Sequence, residues 1–176
     1  LAARLTRSEI SISLVAAATK NKRIIGNKGE LPWRLSDDLK FLRKLTLGKT
    51  VILGRKTQDS IVARLGHALP DRHTIVLTRN PDYKPNDCAV AESWDKAMKL
   101  VRGEKEVFIL GGSEIYTLAL PHADNIYLTL VEADLEGDAK FPNLIDSEWD
   151  RKLKETHSKD NKNEFNFERW LLIRKK

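Results

Sequence analysis

Cysteine is nearly missing: Cys88 is the one thiol in 176 residues, so no internal disulfide can form and a reducing compartment is expected. The four histidines, His67, His73, His122 and His157, stand far apart with no second thiol near them. That removes the ligand spacing of a zinc-type centre and predicts a metal-free site. No apolar run reaches the ~18 residues a membrane-spanning helix needs. The dinucleotide fingerprint G-x-G-x-x-G is absent, which disfavours an ordinary Rossmann dehydrogenase. Gly48-Lys49-Thr50 lacks the upstream glycine of a P-loop, position 43 being arginine, and it leads into a strand instead of a helix. Repeats and domain linkers are missing too. What is present, 41% hydrophobic and 32% charged residues, is too apolar for disorder and suits one domain.

Lysine plus arginine number 31 against 25 acids, a formal charge of +6, so anionic partners are favoured by the long-range field. The basic residues are spread along the chain, and phosphorylated cofactors and polycarboxylates are anions as well. The charge therefore does not point to nucleic acid. Arg4 and Arg7 ahead of Ile10 to Ala18 have the outline of a signal peptide. The Ser11 and Ser13 alternation instead suits a strand, and the basic run Lys20 to Arg23 follows where cleavage would fall. Leu1 in place of methionine suggests a trimmed or appended end. Residues 1–9 are expected to be a flexible extension, and residues 10–176 a single domain.

Strand-like and helix-like segments alternate. Strands are expected at Ile10 to Ala18, Thr50 to Leu53, His73 to Thr78, Ala89 to Ala91, Glu106 to Leu110, Asn125 to Ala133, Asp150 to His157 and Phe165 to Ile173. Helices are expected from Ser36, as its cap, to Leu47, from Gly54 to about Ala63, from Ser93 to about Val101 and from Ser113 to Leu120. Lys20 to Trp33 reads as a polar loop able to close over a ligand. This alternation predicts an α/β fold, a mainly parallel sheet covered on both faces, with antiparallel pairing at the edge the last strands form.

Two strand-to-helix turns carry glycine, Gly54-Arg55-Lys56-Thr57 and Gly111-Gly112-Ser113-Glu114. Glycine permits close approach to the backbone, and free amides at a new helix suit phosphate. One such turn alone is ordinary turn chemistry. Two, one of them basic, point to a dinucleotide lying across the carboxyl ends of the strands. Two acids open the first helix. Asp37 shares a face with Lys40 and Lys44, a solvated arrangement, whereas Asp38 aligns with Leu42 and Leu45. A carboxylate facing apolar surroundings is either a structural partner or the ligand-reading group of a pocket. Spacing leaves that choice open, as it does for Trp33 between core and ligand contact.

Ile25-Gly-Asn-Lys-Gly-Glu-Leu-Pro-Trp33 followed by Asp38 resembles the signature of the dihydrofolate reductases. In the same order, so do Val51-Ile-Leu-Gly-Arg-Lys-Thr57 with Ser60-Ile61, Leu69-Pro-Asp-Arg72, Ile75-Val-Leu-Thr-Arg79, Ile109-Leu-Gly-Gly-Ser-Glu-Ile-Tyr116, Tyr127-Leu-Thr129 and Glu136-Gly-Asp-Ala-Lys-Phe-Pro142. The resemblance covers about residues 10 to 174. It implies a central, mostly parallel eight-stranded sheet with an antiparallel C-terminal strand and about four flanking helices. The implied activity is reduction of 7,8-dihydrofolate to tetrahydrofolate by NADPH. It further implies antifolates as ligands, a cytoplasmic monomer, and neither nucleic acid nor membrane as partner.

By position, the resemblance implies that Asp38 holds the pteridine ring with Thr129 behind it, and that N5 takes its proton from water near Leu31 and Trp33. Val15, Ala16, Leu31, Leu39, Leu42, Ser60, Ile61, Leu65, Leu110 and Tyr116 would wall the substrate. Arg72 would grip the glutamate tail, a guanidinium fork matching a carboxylate. The cofactor would lie on Ala17, Ile25, Gly26, Gly54, Arg55, Lys56, Thr57, Leu77, Thr78, Arg79, Leu110, Gly111, Gly112, Ser113, Glu114, Ile115 and Tyr116, with a cis link at Gly111-Gly112 and two arginines favouring a 2′-phosphate. Gln58 replaces a tryptophan common in the family and Leu42 a frequent phenylalanine. Val62 to Leu69 departs from the usual turn, and Glu92 and Glu114 bring negative charge toward the adenosine end. A riboflavin-pathway reductase shares this architecture, but the pairing of Leu31-Pro-Trp33 with Asp38 argues against it. The aromatic-studded strands of RNA-binding modules are not seen.

Overall fold

The computed structural model describes residues 10–176; the extension expected at residues 1–9 lies outside the described residues. In chain order the strands are β1 (Ser11–Thr19), β2 (Ile24–Gly26), β3 (Thr50–Gly54), β4 (His73–Leu77), β5 (Ala89–Ala91), β6 (Glu106–Ile109), β7 (Asn125–Val131), β8 (Ala139–Lys140), β9 (Trp149–His157) and β10 (Phe167–Arg174). The helices are α1 (Ser36–Thr46), α2 (Arg55–Leu65), α3 (Trp94–Leu100) and α4 (Ser113–Ala119).

Eight strands form one sheet in the order β5-β4-β3-β6-β1-β7-β10-β9. Every neighbouring pair is parallel except the two made by β10, which runs against both β7 and β9. The reversed strand therefore lies one place in from the edge, and β9, running with the parallel set, forms the edge itself. Burial follows from this topology. All of β3 is buried, as expected for a parallel strand covered on both faces. Alternation sends Ile52 into the main core with Leu14, Ile75 and Ile109, and Leu53 into a second cluster with Ile61 of α2 and Val76. A third cluster, Trp33, Leu35, Val131 and Phe167, closes the other end of the sheet.

Two local features differ from the sequence expectation. Part of the stretch read as a polar loop is strand: β2 pairs antiparallel with β8 in a small separate ribbon. Gly137 is forced there by crowding, since a Cβ would sit 2.4 Å from Ile24 Cγ2 and 2.5 Å from the Gly26 carbonyl oxygen. Ser36 is also not the cap of α1. It is the first helical residue, after Leu35, and no side chain of the N-cap residue bonds the helix. The open amides are met from far along the chain instead: Ser36 N–H donates to the Lys162 carbonyl (3.1 Å) and Asp37 N–H to Asn163 Oδ1 (3.1 Å). Ser93 does cap α3, accepting from Lys96 N–H at 3.1 Å.

Candidate active site

A cleft of about 1600 Å³ crosses the carboxyl ends of the central strands, where open α/β sheets place ligands. Its wall takes Val15 to Ala17 from the second half of β1, Gly54 to Thr57 from the end of β3 onward, Leu77 to Asn80 from the end of β4 onward, Leu110 and Gly112 after β6, and Thr129 from β7. Leu31, Trp33, Asp38, Leu39, Phe41 and Leu42 cover it from the other side. A pocket for one small molecule is typically about 300 to 1,000 Å³, so there is room for two ligands side by side.

Asp38 enters this wall from the first turn of α1 with its side chain 17% exposed. Thr129 Oγ1 donates to Oδ1 at 2.6 Å, and Arg169 Nη2 donates to the same oxygen at 3.2 Å. Oδ2 has no hydrogen bond among the described residues, and the residue lines the cleft. Burial pushes this carboxyl above its ordinary value of 3.8, while the bonds from Thr129 and Arg169 and the charge of Arg169 pull it back. One oxygen is thus fixed and the other is available to accept a paired N–H donor. Tyr116 on α4 is buried close by and donates from its hydroxyl to the Val15 carbonyl (2.7 Å). Burial and the Asp38 charge push its phenol up, so it stays a neutral donor.

The two glycine turns are joined. Gly54 N–H donates to the Gly111 carbonyl at 2.8 Å, and Gly112 lies against Thr57, whose Oγ1 would be 3.5 Å from a Cβ at that position. Gly111 holds φ +105°, and a Cβ there would come within 2.8 Å of the Tyr116 ring. The Gly111-Gly112 peptide is cis. No side chain caps α2, so its first amides remain donors, with Arg55, Lys56 and Arg79 along the same wall. This donor set fits a phosphorylated dinucleotide.

A family model, dihydrofolate reductase, matches residues 11–174. The dihydrofolate reductase of Staphylococcus haemolyticus is 41% identical over 160 residues, covering 91% of this chain and 93% of that protein. The one of Bacillus subtilis (strain 168) is 38% identical over 165 residues, 94% and 95% of the two chains. A solved structure of dihydrofolate reductase from Enterococcus faecalis, complexed with NADP(H) and RAB-propyl, superposes with a TM-score of 0.86 at 31% identity, over 94% of this chain and 97% of that one. The chain belongs to the dihydrofolate reductase family.

Most residues expected of a dihydrofolate reductase site come together in the cleft wall: Val15, Ala16, Ala17, Ile25, Gly26, Leu31, Trp33, Asp38, Leu39, Leu42, Gly54, Arg55, Lys56, Thr57, Ser60, Ile61, Leu77, Thr78, Arg79, Leu110, Gly112, Ser113, Glu114, Ile115, Tyr116 and Thr129. Trp33 is both core and wall, 7% exposed and packed with Leu35, Val131 and Phe167. Three expected residues are not in the wall. Gly111 lies behind it, holding the Gly54 turn. Leu65 is 41% exposed at the end of α2, and Arg64 lines the cleft in its place. Arg72 stands beyond the wall, donating through Nε to the Pro70 carbonyl (2.9 Å) and through Nη1 to Thr46 Oγ1 (3.3 Å). Burial and nearby Arg43 lower its pKa.

Asp37 is not solvated decoration. It meets His157 Nε2 at 2.9 Å and accepts from Asn163 Nδ2 at 2.8 Å, with Lys40 at 4.0 Å. Phe41, Asn163 and Arg169 escape the sequence reading. Phe41 follows Asp38 by three on the same helical face and was findable from spacing. Arg169 is a cation on the period-two face that buries Phe167 in β10, a weaker signal of the same kind.

Proposed function

We propose that Asp38 reads the pterin ring in this cleft and that the joined glycine turns seat NADPH. The activity is the reduction of 7,8-dihydrofolate to 5,6,7,8-tetrahydrofolate. The observation that carries the residue assignment is the divided carboxylate of Asp38, a residue lining the cleft, with Oδ1 tied to Thr129 and Arg169 and Oδ2 without a hydrogen bond among the described residues.

When bound, NADPH supplies a hydride to C6 of the pterin. The protein's share begins with Asp38 Oδ2, which accepts hydrogen bonds from the ring N–H and the exocyclic amino group and so fixes the ring's orientation. The carboxylate charge raises the basicity of N5, which must gain a proton. Leu31, 43% exposed at the rim, and Trp33 border the route by which water delivers it. Acid assistance of this kind typically contributes ~10² to 10⁴ in rate, and holding two flat rings in contact in a dry site contributes more. Val15, Ala16, Leu39, Leu42, Ser60, Ile61 and Leu110 exclude water around the pterin. Arg72 has an Nη2 with no partner among the described residues, which suits the carboxylate of a glutamate tail. Arg55, Lys56, Thr57, Thr78 and Arg79 hold the phosphates, and the pair of arginines favours the 2′-phosphate over a free hydroxyl.

The same reading takes residues 10–176 as one catalytic unit and the chain as a cytoplasmic monomer. A single unpaired cysteine and basic residues spread along the chain support a reducing compartment and no nucleic-acid partner. Among the described residues, no helix is long and apolar enough to cross a membrane. The decisive experiment is a spectrophotometric assay with NADPH, NADH and dihydrofolate. NADPH oxidation that requires dihydrofolate supports the assignment, and its absence refutes it.

A further inference from the structure

We propose that Arg169 is a positioning residue of the reduction: from outside the cleft its guanidinium holds Oδ1 of Asp38, leaves Oδ2 to the pterin, and sets the pH range over which acid and bound ring work together. The inference rests on Asp38 meeting the pterin, as proposed above.

Arg169 is 5% exposed. Its Nη2 donates to Asp38 Oδ1 at 3.2 Å and its Nη1 to Glu155. The guanidinium lies over the Phe41 ring, 3.8 Å from the centroid, with the Phe167 ring at 5.6 Å. Its Nε is buried with no partner. Stability does not account for a cation in this place. A buried ion pair often gives no net gain over well-packed apolar residues, and an unpaired buried donor is a cost. What the arrangement does provide is a carboxylate that cannot rotate freely and a positive charge 3.2 Å from one of its oxygens. The fork is itself clamped. The aromatic face restrains it, and Glu155 occupies Nη1 while Nη2 holds Asp38.

The charged and titratable groups that act on Asp38 come from several elements around it, with the Tyr127 phenol of β7 on the Phe41 side of α1. β10 contributes Arg169, β9 contributes Glu155 and α4 contributes the Tyr116 phenol, while the Thr129 hydroxyl of β7 is the neutral donor. On α1 itself Asp37 is engaged by His157 and Asn163. The signs are opposed. Arg169 favours the charged carboxylate and Glu155 disfavours it, so removing one or the other must move the acid in opposite directions. An arginine that only packed the strand would leave the pH profile of turnover unmoved.

The test is the pH profile of kcat and of kcat/KM for dihydrofolate, with unfolding temperature and NADPH affinity recorded beside it, for the parent, Arg169→Met, Arg169→Lys and Glu155→Gln. A parent without dihydrofolate-dependent NADPH oxidation would refute the reading of the site itself, a result separate from all that follow. With an active parent, Arg169→Met should move the midpoint of the profile to higher pH and lower kcat/KM by roughly tenfold or more, as a misplaced reacting group does, with NADPH affinity held. Arg169→Lys keeps the charge and should restore the midpoint while recovering rate only in part. Glu155→Gln, at an exposed edge-strand position, should move the midpoint to lower pH. Unmoved midpoints in Arg169→Met and Glu155→Gln would overturn the proposal. If Arg169→Met does not fold, Glu155→Gln decides alone: a shift to lower pH supports the proposal and an unchanged profile overturns it.

Discussion

Thr129 and Arg169 are register partners on β7 and β10, and both donate to the same oxygen of Asp38. Glu155, the register partner of Arg169 on β9, extends the row to the edge strand. Three adjacent strands thus present one line of side chains beneath the first turn of α1, and the acid rests on the line's inner end. The sheet decides which carboxylate oxygen is committed and which is open.

Asp38→Asn should reduce dihydrofolate turnover at neutral pH by at least ~10-fold, given the scale of acid assistance. The cofactor's turns lie on other elements, so NADPH affinity, read by fluorescence titration, should be nearly unchanged. Near-normal turnover would remove Asp38 from the mechanism.

The same carboxyl gives a signed dependence of stability on pH. Burial raises it above its ordinary value despite Thr129 and Arg169, so the folded chain binds this proton more tightly than the unfolded one. The stabilisation from Asp38 is therefore complete below the ordinary value of 3.8 and is lost as pH rises through the raised folded value. Melting curves of parent and Asp38→Asn should show the parent gaining on the variant as pH falls through that window. A parent that instead gains as pH rises would contradict the sign.

Arg72→Leu should weaken dihydrofolate binding with little change in kcat. A hydrogen bond to a charged group contributes about 1.5 to 3 kcal/mol, roughly 10- to 150-fold in affinity. A pterin without the glutamate tail should bind parent and variant alike. Equal loss for both ligands would mean that Arg72 acts through Thr46 and Pro70, its partners in the fold.

Gly111→Ala places a Cβ within 2.8 Å of the Tyr116 ring at φ +105°. Either the ring or the turn must move, and the Tyr116 bond to Val15 and the Gly54 bond to Gly111 both lie in the path. The expected outcome is a lower unfolding temperature together with weaker NADPH binding. An alanine variant with both unchanged would show that the turn has slack the packing does not suggest.

Much of this was legible in the residues. The eight strands of the main sheet and the four helices each fall within a few residues of their expected place; most of the strands are short apolar runs between glycine and polar breaks, while β9 is largely charged. The ribbon was not legible, because two and three residues at β8 and β2 carry no periodicity to read. Ser36 is the right residue type for a cap just before an apolar stripe, but its helix is capped by Asn163, whose distance in sequence hides it. Asp38 could be singled out by spacing; its role could not, since that depends on Arg169 and Thr129 arriving from other strands. Asp37 shows the converse, a residue of ordinary pattern drawn into a cluster with His157 that no local rule predicts.

The late position of Asn163 and β10 in the chain has a consequence for biosynthesis. A nascent polypeptide can pair β1, β3, β4 and β6 while the ribosome still holds the remainder, yet the α1 start has no cap and Oδ1 has no guanidinium until the last hairpin is translated. The side chain that caps α1 and the guanidinium on Asp38 thus both come from residues 163–169, so the parallel strands can pair before the surroundings of that acid are complete.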